Sequence, residues 1–397
     1  MRSSRRSRRL HGELVVQQSF PEPRATTNPY LVLLAESVAA QPGVTVRMFS
    51  WRSALFGSYD VFHVHWPEIL VTGGSGVKTL ARQALTALWL LRLRMTGVAL
   101  VRTLHNPVPH AGVTRLQRIL LDLIDAQTAL FICLNAETPQ QPGRAYEVIL
   151  HGHYRDWFGR VAAAEAGAER RAAPDERAGA VPGRIAYVGL IRPYKGVVEL
   201  VDVFRSVGRT TGLVAAAGAG SGEGLSSVSL QVAGSPRTPE LAAQLTRLAE
   251  LDARVQLDLR YLSDAELMRV VADAELVVLP YHELHNSGSV LAALSLDRPV
   301  LVPANAVTDA LSAEVGPGWV YRYDGVLTAS ALTEALGLAH ARQIVVGRRE
   351  YTPVVSVASA AHAAERSRPD LSRREWAEAG ERHVAAYRRA LALRGAG

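Results

Sequence analysis

The chain has 397 residues, 48% of them hydrophobic, so it can bury more than one core, and we predict two domains rather than one. The formal net charge of +7 comes mostly from five arginines near the start, and without them the basic residues nearly balance the 37 acidic ones. Such a near-neutral body argues against a nucleic-acid partner. The five arginines fall in residues 1–12, which we predict to be a disordered basic tail: Arg2, Arg5, Arg6, Arg8 and Arg9.

Cysteine content and the length of apolar runs bear on the compartment. The single cysteine, Cys133, lies in the apolar run "ALFICL", which excludes a disulfide framework and indicates a reducing cytoplasm. No apolar segment with a cleavage site follows the first arginines, and the longest apolar patch, "ALTALWLL", is well short of the roughly 20 residues of a membrane span. We therefore expect a cytoplasmic protein, in solution or at the inner face of the plasma membrane.

Short β-rich runs alternate with helical stretches over residues 13–158. This alternation predicts parallel βα units and hence a Rossmann-like domain. The strand candidates are, in chain order, "ELVVQQSF", "VTVRMF", "DVFHVHW", "VALVRTLH", "ALFICL" and "YEVIL".

One helix of this domain has two contrasting faces at about 100° per residue. An apolar arc is predicted to pack on the sheet: Leu80, Ala84, Ala87, Leu88, Leu91 and Met95. The opposite arc carries cations with a leucine and a tryptophan: Lys78, Arg82, Leu85, Trp89 and Arg92. This second arc is typical of a helix resting on anionic lipid headgroups, and equally of a solvated face whose tryptophan packs on a neighbouring loop.

The alternation stops at residues 159–183, which are rich in Ala, Glu, Arg, Gly and Pro and are predicted to form a linker or a surface helix. It resumes over residues 184–370, where "RIAYVGLI", "GLVAAAG", "RVQLDL", "ELVVLPY", "PVLVPAN" and "WVYRY" predict the strands of a second Rossmann-like domain. Serine and glutamate three apart predict helix starts at Ser263 and Ser372, the latter opening a terminal helix within 371–397. The fold class is therefore α/β, doubly wound, with a ligand cleft expected between the domains.

The segment "YVGLIRPYKG" ends an apolar strand at Gly189 and then presents two cations. Arg192 offers a planar fork of donors and Lys195 a compact charge, while Gly196 stands where the next helix starts. A strand, a glycine and a helix N-terminus in this order form a phosphate site at the carboxyl edge of a Rossmann-like sheet.

A second donor-site candidate is the small polar run "NSGS", which follows a strand and begins a helix. Its backbone amides and hydroxyls can point at phosphate oxygens, although an ordinary helix cap has the same composition. The residues of this run are Asn286, Ser287, Gly288 and Ser289.

Two histidines end strands of the first domain and can reach the expected cleft. His65 ends "DVFHVHW" and His105 ends "VALVRTLH", and His110 follows in "NPVPH". A histidine at a strand end is otherwise a common structural group. Glu68, just after His65, is a candidate general base if the reaction inverts configuration.

The order of these features resembles that of the GT-B glycosyltransferases, in particular the retaining family 4 and its relatives, over nearly the whole chain. The resemblance rests on "DVFHVHWPE", "RTLHNPVPH", "YVGLIRPYKGVVELVDVF", "LPYHELHNSGSVLAALSLDRPVLVP" and "EWAEAGERHVAAYRRAL". "NSGS" before apolar residues is similar to a subset that includes β-mannosyltransferases of exopolysaccharide and lipid-linked glycan assembly. The resemblance implies transfer of a hexose, with mannose favoured, from a nucleotide-diphosphate sugar to a glycan or lipid-linked acceptor.

The same resemblance implies roles for single residues. Lys195, six residues after Gly189, would bind the donor diphosphate, and His105 would lie near the transferred sugar. Apart from the resemblance, we assign His65 and His110 to the acceptor side. Glu283 stands at the place of a first donor-site glutamate, but Ala292 occupies the place of the second. We therefore expect phosphate contacts to carry more of the nucleotide affinity than ribose contacts. The terminal helix would pack back on the first domain.

Two alternatives stay open. A non-catalytic nucleotide- or sugar-binding module of the same fold fits the missing second glutamate, and a GT-B epimerase or phosphorylase would differ in the cleft residues. Neither a His-Glu-x-x-His nor an Asp-x-Asp motif occurs, so we expect no obligatory metal and no cofactor besides the nucleotide-sugar co-substrate.

Overall fold

The computed structural model describes residues 13–105, 114–169, 180–208, 228–282, 284–350 and 368–396. The chain forms two compact units, one of Met1–Gly152 with Arg373–Gly397 and the other of His153–Ser372. Each unit contains a six-stranded parallel sheet with helices around it, which confirms the predicted α/β class. Among the helices of the described residues, none is long and apolar enough to cross a bilayer.

The first sheet is built from the six predicted runs. Its strands are β1 (Leu14–Gln18), β2 (Val44–Arg47), β3 (Val61–Val64), β4 (Ala99–Leu104), β5 (Thr128–Cys133) and β6 (Tyr146–Val148). They are ordered β2-β1-β3-β4-β5-β6. β1 and β3 are buried along their whole length because helices cover both faces of a central parallel strand.

Five helices connect these strands in the described residues. They are α1 (Pro29–Ala39), α2 (Trp51–Phe56), α3 (Glu68–Val71), α4 (Gly76–Thr96) and α5 (Arg115–Gln127). α5 opens with a reciprocal capping box between Thr114 and Gln117, which fixes its first turn.

Helix α4 packs with the arc that was predicted to face lipid or solvent, so the predicted orientation is wrong. Trp89 is fully buried, with its ring 4.6 Å from that of Phe62. Arg82 and Arg92 donate to backbone carbonyls at the C-terminal ends of α3 and α2. The two guanidinium groups therefore satisfy carbonyl groups that have no partner within those helices. The arc predicted to be buried is exposed instead: Leu80, Ala84, Ala87, Leu88, Leu91 and Met95.

The second sheet follows the same plan. Its strands are β7 (Arg184–Val188), β8 (Ser229–Ala233), β9 (Val255–Asp258), β10 (Leu276–Val278), β11 (Val300–Pro303) and β12 (Val320–Tyr323), ordered β12-β11-β10-β7-β8-β9. β8 was not predicted, and the predicted strand "GLVAAAG" lies outside the described residues. Because β7 and β10 are parallel neighbours, the loops that follow them lie at the same carboxyl edge of the sheet.

Within the part of the chain that the structure describes, seven helices belong to the second unit. They are α6 (Arg155–Glu169), α7 (Val197–Arg205), α8 (Pro239–Ala249), α9 (Asp264–Asp273), α10 (Gly288–Ser295), α11 (Ala306–Val315) and α12 (Ala329–Glu350). The predicted capping box of Ser263 with Glu266 is present at the start of α9. The predicted boundary at residue 158 falls inside α6. This helix packs on α9, and the second unit therefore begins earlier, at His153.

The terminal helix, α13 (Trp376–Ala396), belongs to the first unit, where it packs on α1, β4 and β5. It begins later than the predicted start at Ser372. Ser372 lies in a 3₁₀ turn, and its hydroxyl and amide both bond the carboxylate of Asp370 instead of capping the helix.

Candidate active site

The loop after β7 is shaped by two glycines. Gly189 has a φ of 116°, a conformation that side chains rarely allow, and a Cβ on Gly234 would lie 1.8 Å from the Gly189 carbonyl oxygen. The loops after β7 and β8 can therefore lie directly against each other. A parallel bridge between Ile191 and Pro236 continues this contact.

Lys195 ends a 3₁₀ turn just before α7, at the carboxyl edge of the second sheet. Its ammonium donates to the hydroxyl of Tyr281 at 3.1 Å and lies 4.6 Å from the centre of that ring. Gly196 allows this approach, because a Cβ there would lie 2.1 Å from the carbonyl oxygen of Pro280. The loop after β10 thus holds the lysine in place.

Arg192 provides a second cation on the same loop. Its guanidinium donates to the carbonyl of Ile191 at 3.2 Å, and no described carboxylate lies within ion-pair distance of Arg192 or Lys195. Burial raises the pKa of the neighbouring Tyr187, so this phenol stays neutral and does not offset the two charges. Two cations beside a helix N-terminus, neither of them paired with a described carboxylate, are groups that can bind an anion.

The structure brings the second donor-site candidate onto this loop. Ser287 is the N-cap of α10, and its hydroxyl accepts the amide of Val290 at 3.3 Å. A Cβ on Gly189 would lie 3.2 Å from the hydroxyl of Ser289, so the "NSGS" turn faces the Gly189 loop. Asn286, Ser287, Gly288 and Ser289 are all half-buried, which leaves part of each accessible to a ligand.

Three further positions were considered around the donor and acceptor sites: Ala292, Glu283 and His110. Ala292 is buried within α10, with 7% of its surface exposed. Glu283 and His110 lie outside the described residues. Across the described parts of the chain, no group of three or more His, Cys, Asp or Glu side chains is arranged to hold a metal ion.

In the first unit, the histidines that end β3 and β4 meet at the carboxyl edge of the sheet. Nδ1 of His65 lies 3.2 Å from Nε2 of His105. The His105 ring stacks on Trp66 at 4.0 Å between centroids, and Tyr30 meets both histidines edge-on. His105 remains half-buried, whereas His65 is buried.

A chain of hydrogen bonds connects these rings with their neighbours. Nε2 of His65 donates to Oε1 of Gln18 at 3.2 Å, so its Nδ1 accepts the Nε2 proton of His105. Beneath this pair, the hydroxyl of Tyr387 on α13 hydrogen-bonds Nδ1 of His63 at 2.8 Å, and Nε2 of His63 hydrogen-bonds the hydroxyl of Thr103. The sequence indicated His65 and His105 but not Gln18, His63 or Tyr387, because no motif spacing connects the terminal helix with β1 and β3.

The surroundings of these imidazoles favour their neutral form. Burial lowers the pKa of His63, His65 and His105 well below the ordinary value, and each lies near other histidines that lower it further. The pKa values of His151 and His383 are lowered to about 4, again chiefly by burial. The cluster can therefore accept and donate hydrogen bonds to a neutral sugar without carrying charge.

Glu68 begins α3, three residues after His65, and is half-buried. The first unit thus offers a carboxylate and a histidine cluster in adjacent loops, and the second unit offers two cations at a helix N-terminus. Such groups can take part in proton transfer and in anion binding, respectively.

Two successive parallel sheets with flanking helices are the architecture of the GT-B class of glycosyltransferases, and solved structures show the same fold. Anabaena HepE in complex with UDP-glucose has a TM-score of 0.53 at 14% identity, covering 94% of this chain and 100% of that one. A trehalose-phosphate synthase from Burkholderia xenovorans has a TM-score of 0.54 at 12% identity, covering 95% and 100%.

Sequence comparison narrows the class. The chain is 40% identical over 380 residues to a GDP-mannose:glycolipid 4-β-D-mannosyltransferase of Xanthomonas campestris pv. campestris, which covers 95% of this chain and 93% of that protein. A second Xanthomonas campestris protein of the same description is 39% identical over the same length. The chain therefore belongs to this family of glycolipid mannosyltransferases, although no family model matches it.

Proposed function

We propose that the protein transfers mannose from GDP-mannose to a glycolipid and forms a β linkage to its acceptor. The donor and acceptor are those that the two relatives are described as using. The observation that carries the proposal is a loop with two cations, Arg192 and Lys195, that pair with no described carboxylate, while Gly189 of the same loop faces the "NSGS" turn. Because a glycolipid resides in a bilayer, the reaction takes place at a membrane surface, which we assign to the inner face of the plasma membrane.

The donor site acts on the leaving group. When the bond between the anomeric carbon and the diphosphate breaks, negative charge develops on the leaving oxygen, and cations held nearby stabilise the transition state more than the substrate. Lys195 is anchored by Tyr281 and Arg192 by a backbone carbonyl, so little reorganisation is needed. We assign this role to the two cations, and we expect transfer without an obligatory metal.

The acceptor side supplies the base. GDP-mannose carries its sugar in α linkage, so a β product requires the acceptor oxygen to attack from the opposite face as the diphosphate leaves. The acceptor proton then goes to a base, which we assign to Glu68. His105 hydrogen-bonds a hydroxyl of the transferred mannose, and His65, whose two ring nitrogens bond Gln18 and His105, positions it.

Donor preference tests the proposal. The full chain is incubated with GDP-mannose, UDP-glucose or ADP-glucose, with and without an extracted glycolipid fraction, and nucleotide release and sugar incorporation into lipid are measured. We expect GDP release that increases with lipid and persists in a chelator, and an unchanged rate in the control Arg247→Ala, an exposed residue of α8. Release from UDP-glucose but not GDP-mannose, or no lipid labelling, would overturn it.

A further inference from the structure

The exposed large hydrophobic side chains are not scattered over the chain. Ten of the 18 that occur among the described residues lie on α2, α3, α4 and α5. Six of them form what we call the apolar face: Leu80, Leu88, Leu91 and Met95 on α4, with Leu116 and Ile119 on α5. Those on α4 are 55–64% exposed. Clustered aliphatic exposure of this kind marks a docking surface rather than an inert exterior.

Two neighbouring helices present the apolar face together. The inner sides of α4 and α5 share one core, in which Trp89 and Leu93 of α4 lie with Leu121 and Ile124 of α5. Because both helices cover the same side of the sheet and pack on each other, their outer sides lie next to one another. α4 has 21 residues and is therefore about 30 Å long, so the face is an elongated stripe.

Cations border the stripe. α4 contains no acidic residue, and its exposed cations are Lys78 and Arg94. The first turns of α5 add Arg115 and Arg118, both exposed, against one exposed carboxylate, Asp122. Aliphatic side chains bordered by charges of mostly one sign fit a lipid bilayer with anionic headgroups, where the side chains enter the acyl boundary and the cations meet phosphates.

We propose that the outer surfaces of α4 and α5 dock the first unit on an anionic membrane, with α4 lying in the plane of the interface. The inference rests on the proposed function in one respect, since a glycolipid acceptor gives the protein a reason to reach the bilayer. It assigns the membrane contact to the arc of α4 opposite to the one predicted from the sequence. The exposed leucines thereby acquire a role that packing within the chain does not give them.

Vesicle binding by the full chain tests the surface. Partitioning is measured by flotation with phosphatidylcholine vesicles, alone or mixed with phosphatidylglycerol, for the parent and for the variant Leu88→Ser/Leu91→Ser/Met95→Ser. We expect the parent to bind the anionic vesicles and the variant to bind them at least about tenfold more weakly. Replacing Arg94 and Arg118 by alanine should weaken binding about fivefold for each cation at low salt, and less at high salt.

Matched controls separate this effect from general changes. Leu251 and Val326 of the second unit are exposed to 62% and 80%, so the variant Leu251→Ser/Val326→Ser removes similar apolar surface elsewhere and should bind like the parent. Deleting residues 2–9 removes the basic tail and should leave most of the binding. Thermal unfolding verifies that each variant is folded.

The outcomes are decisive in both directions. Three results would each overturn the proposed docking surface: a parent that binds neither vesicle, a triple variant that binds like the parent, or binding that is lost when the tail alone is deleted. So would a parent that is dimeric in solution and becomes monomeric in the triple variant, because a second copy would then cover the face. GDP release from GDP-mannose in the absence of lipid is measured in parallel, so that an inactive protein that still binds vesicles contradicts the proposed function only.

Discussion

Replacing Lys195 by alanine is the most informative change in the donor site. The ammonium is half-buried, is held by the hydroxyl and ring of Tyr281, and has no described carboxylate within ion-pair distance. We therefore predict that its charge is available to the leaving diphosphate. Loss of a preorganised group of this kind costs about 3 kcal/mol of transition-state stabilisation, which corresponds to a rate lower by about 10²-fold.

The same change should affect stability only slightly. Lys195→Ala removes one hydrogen bond and one cation–π contact at a partly exposed position, together about 1 kcal/mol. The assay is single-turnover release of GDP, with thermal unfolding measured on the same preparation. Lys195→Arg, which keeps the charge, should retain more activity than the alanine variant. A folded Lys195→Ala protein whose rate stays within about threefold of the parent would refute the assignment of this lysine to the diphosphate.

Three further predictions concern the "NSGS" helix, the histidine cluster and the pH dependence of stability. GDP should bind far better than guanosine. Ala292→Glu should lower the unfolding temperature without raising GDP affinity, because the new carboxylate lies on the buried side of α10. Calorimetry that shows tighter GDP binding by this variant would contradict the prediction. Tyr387→Phe removes the hydroxyl that hydrogen-bonds His63 and should cost about 1–2 kcal/mol of unfolding free energy, with activity reduced but not abolished. A denaturant titration that shows no loss of stability would argue against the hydrogen-bond chain. Stability should fall as the pH drops from about 6.5 towards 4, because His151 and His383 have pKa values of about 4 in the folded chain and take up protons only after unfolding in this range. The loss should be up to about 1.4 kcal/mol per histidine and pH unit. Urea unfolding with an unchanged midpoint between pH 7.5 and pH 5 would contradict this.

The parts predicted well from the sequence are those that local chemistry determines. Buried parallel strands read as apolar runs, and Gly189 and Gly196 lie where the sequence placed them, after a strand and at the start of a helix. The close approach of Ser289 to Gly189 follows once both segments are placed at the carboxyl ends of strands in one sheet.

The orientation of α4 shows why the rest could not be predicted. Periodicity identifies two arcs, but it assigns the more polar arc to solvent. In this fold the polar arc is buried because Arg82 and Arg92 satisfy carbonyls at the ends of two short helices, and the leucines face outward. Only the positions of those helix ends, which are tertiary information, decide between the arcs.

The histidine cluster was predicted in part for a similar reason. His65 and His105 follow strands and could be recognised, whereas His63 and Tyr387 act through a contact between β3 and α13 that spans most of the chain. A hydrogen bond between such distant residues leaves no spacing to read in the sequence.

The configuration of the product tests the central claim most directly. Mannose is transferred from GDP-mannose to an extracted glycolipid by the purified full chain, and the anomeric configuration of the new linkage is determined by NMR. Transfer by Glu68-assisted attack opposite to the leaving diphosphate predicts a β-mannoside, with loss of transfer in Glu68→Gln. An α-mannoside, or a product formed equally well by Glu68→Gln, would contradict the proposed reaction.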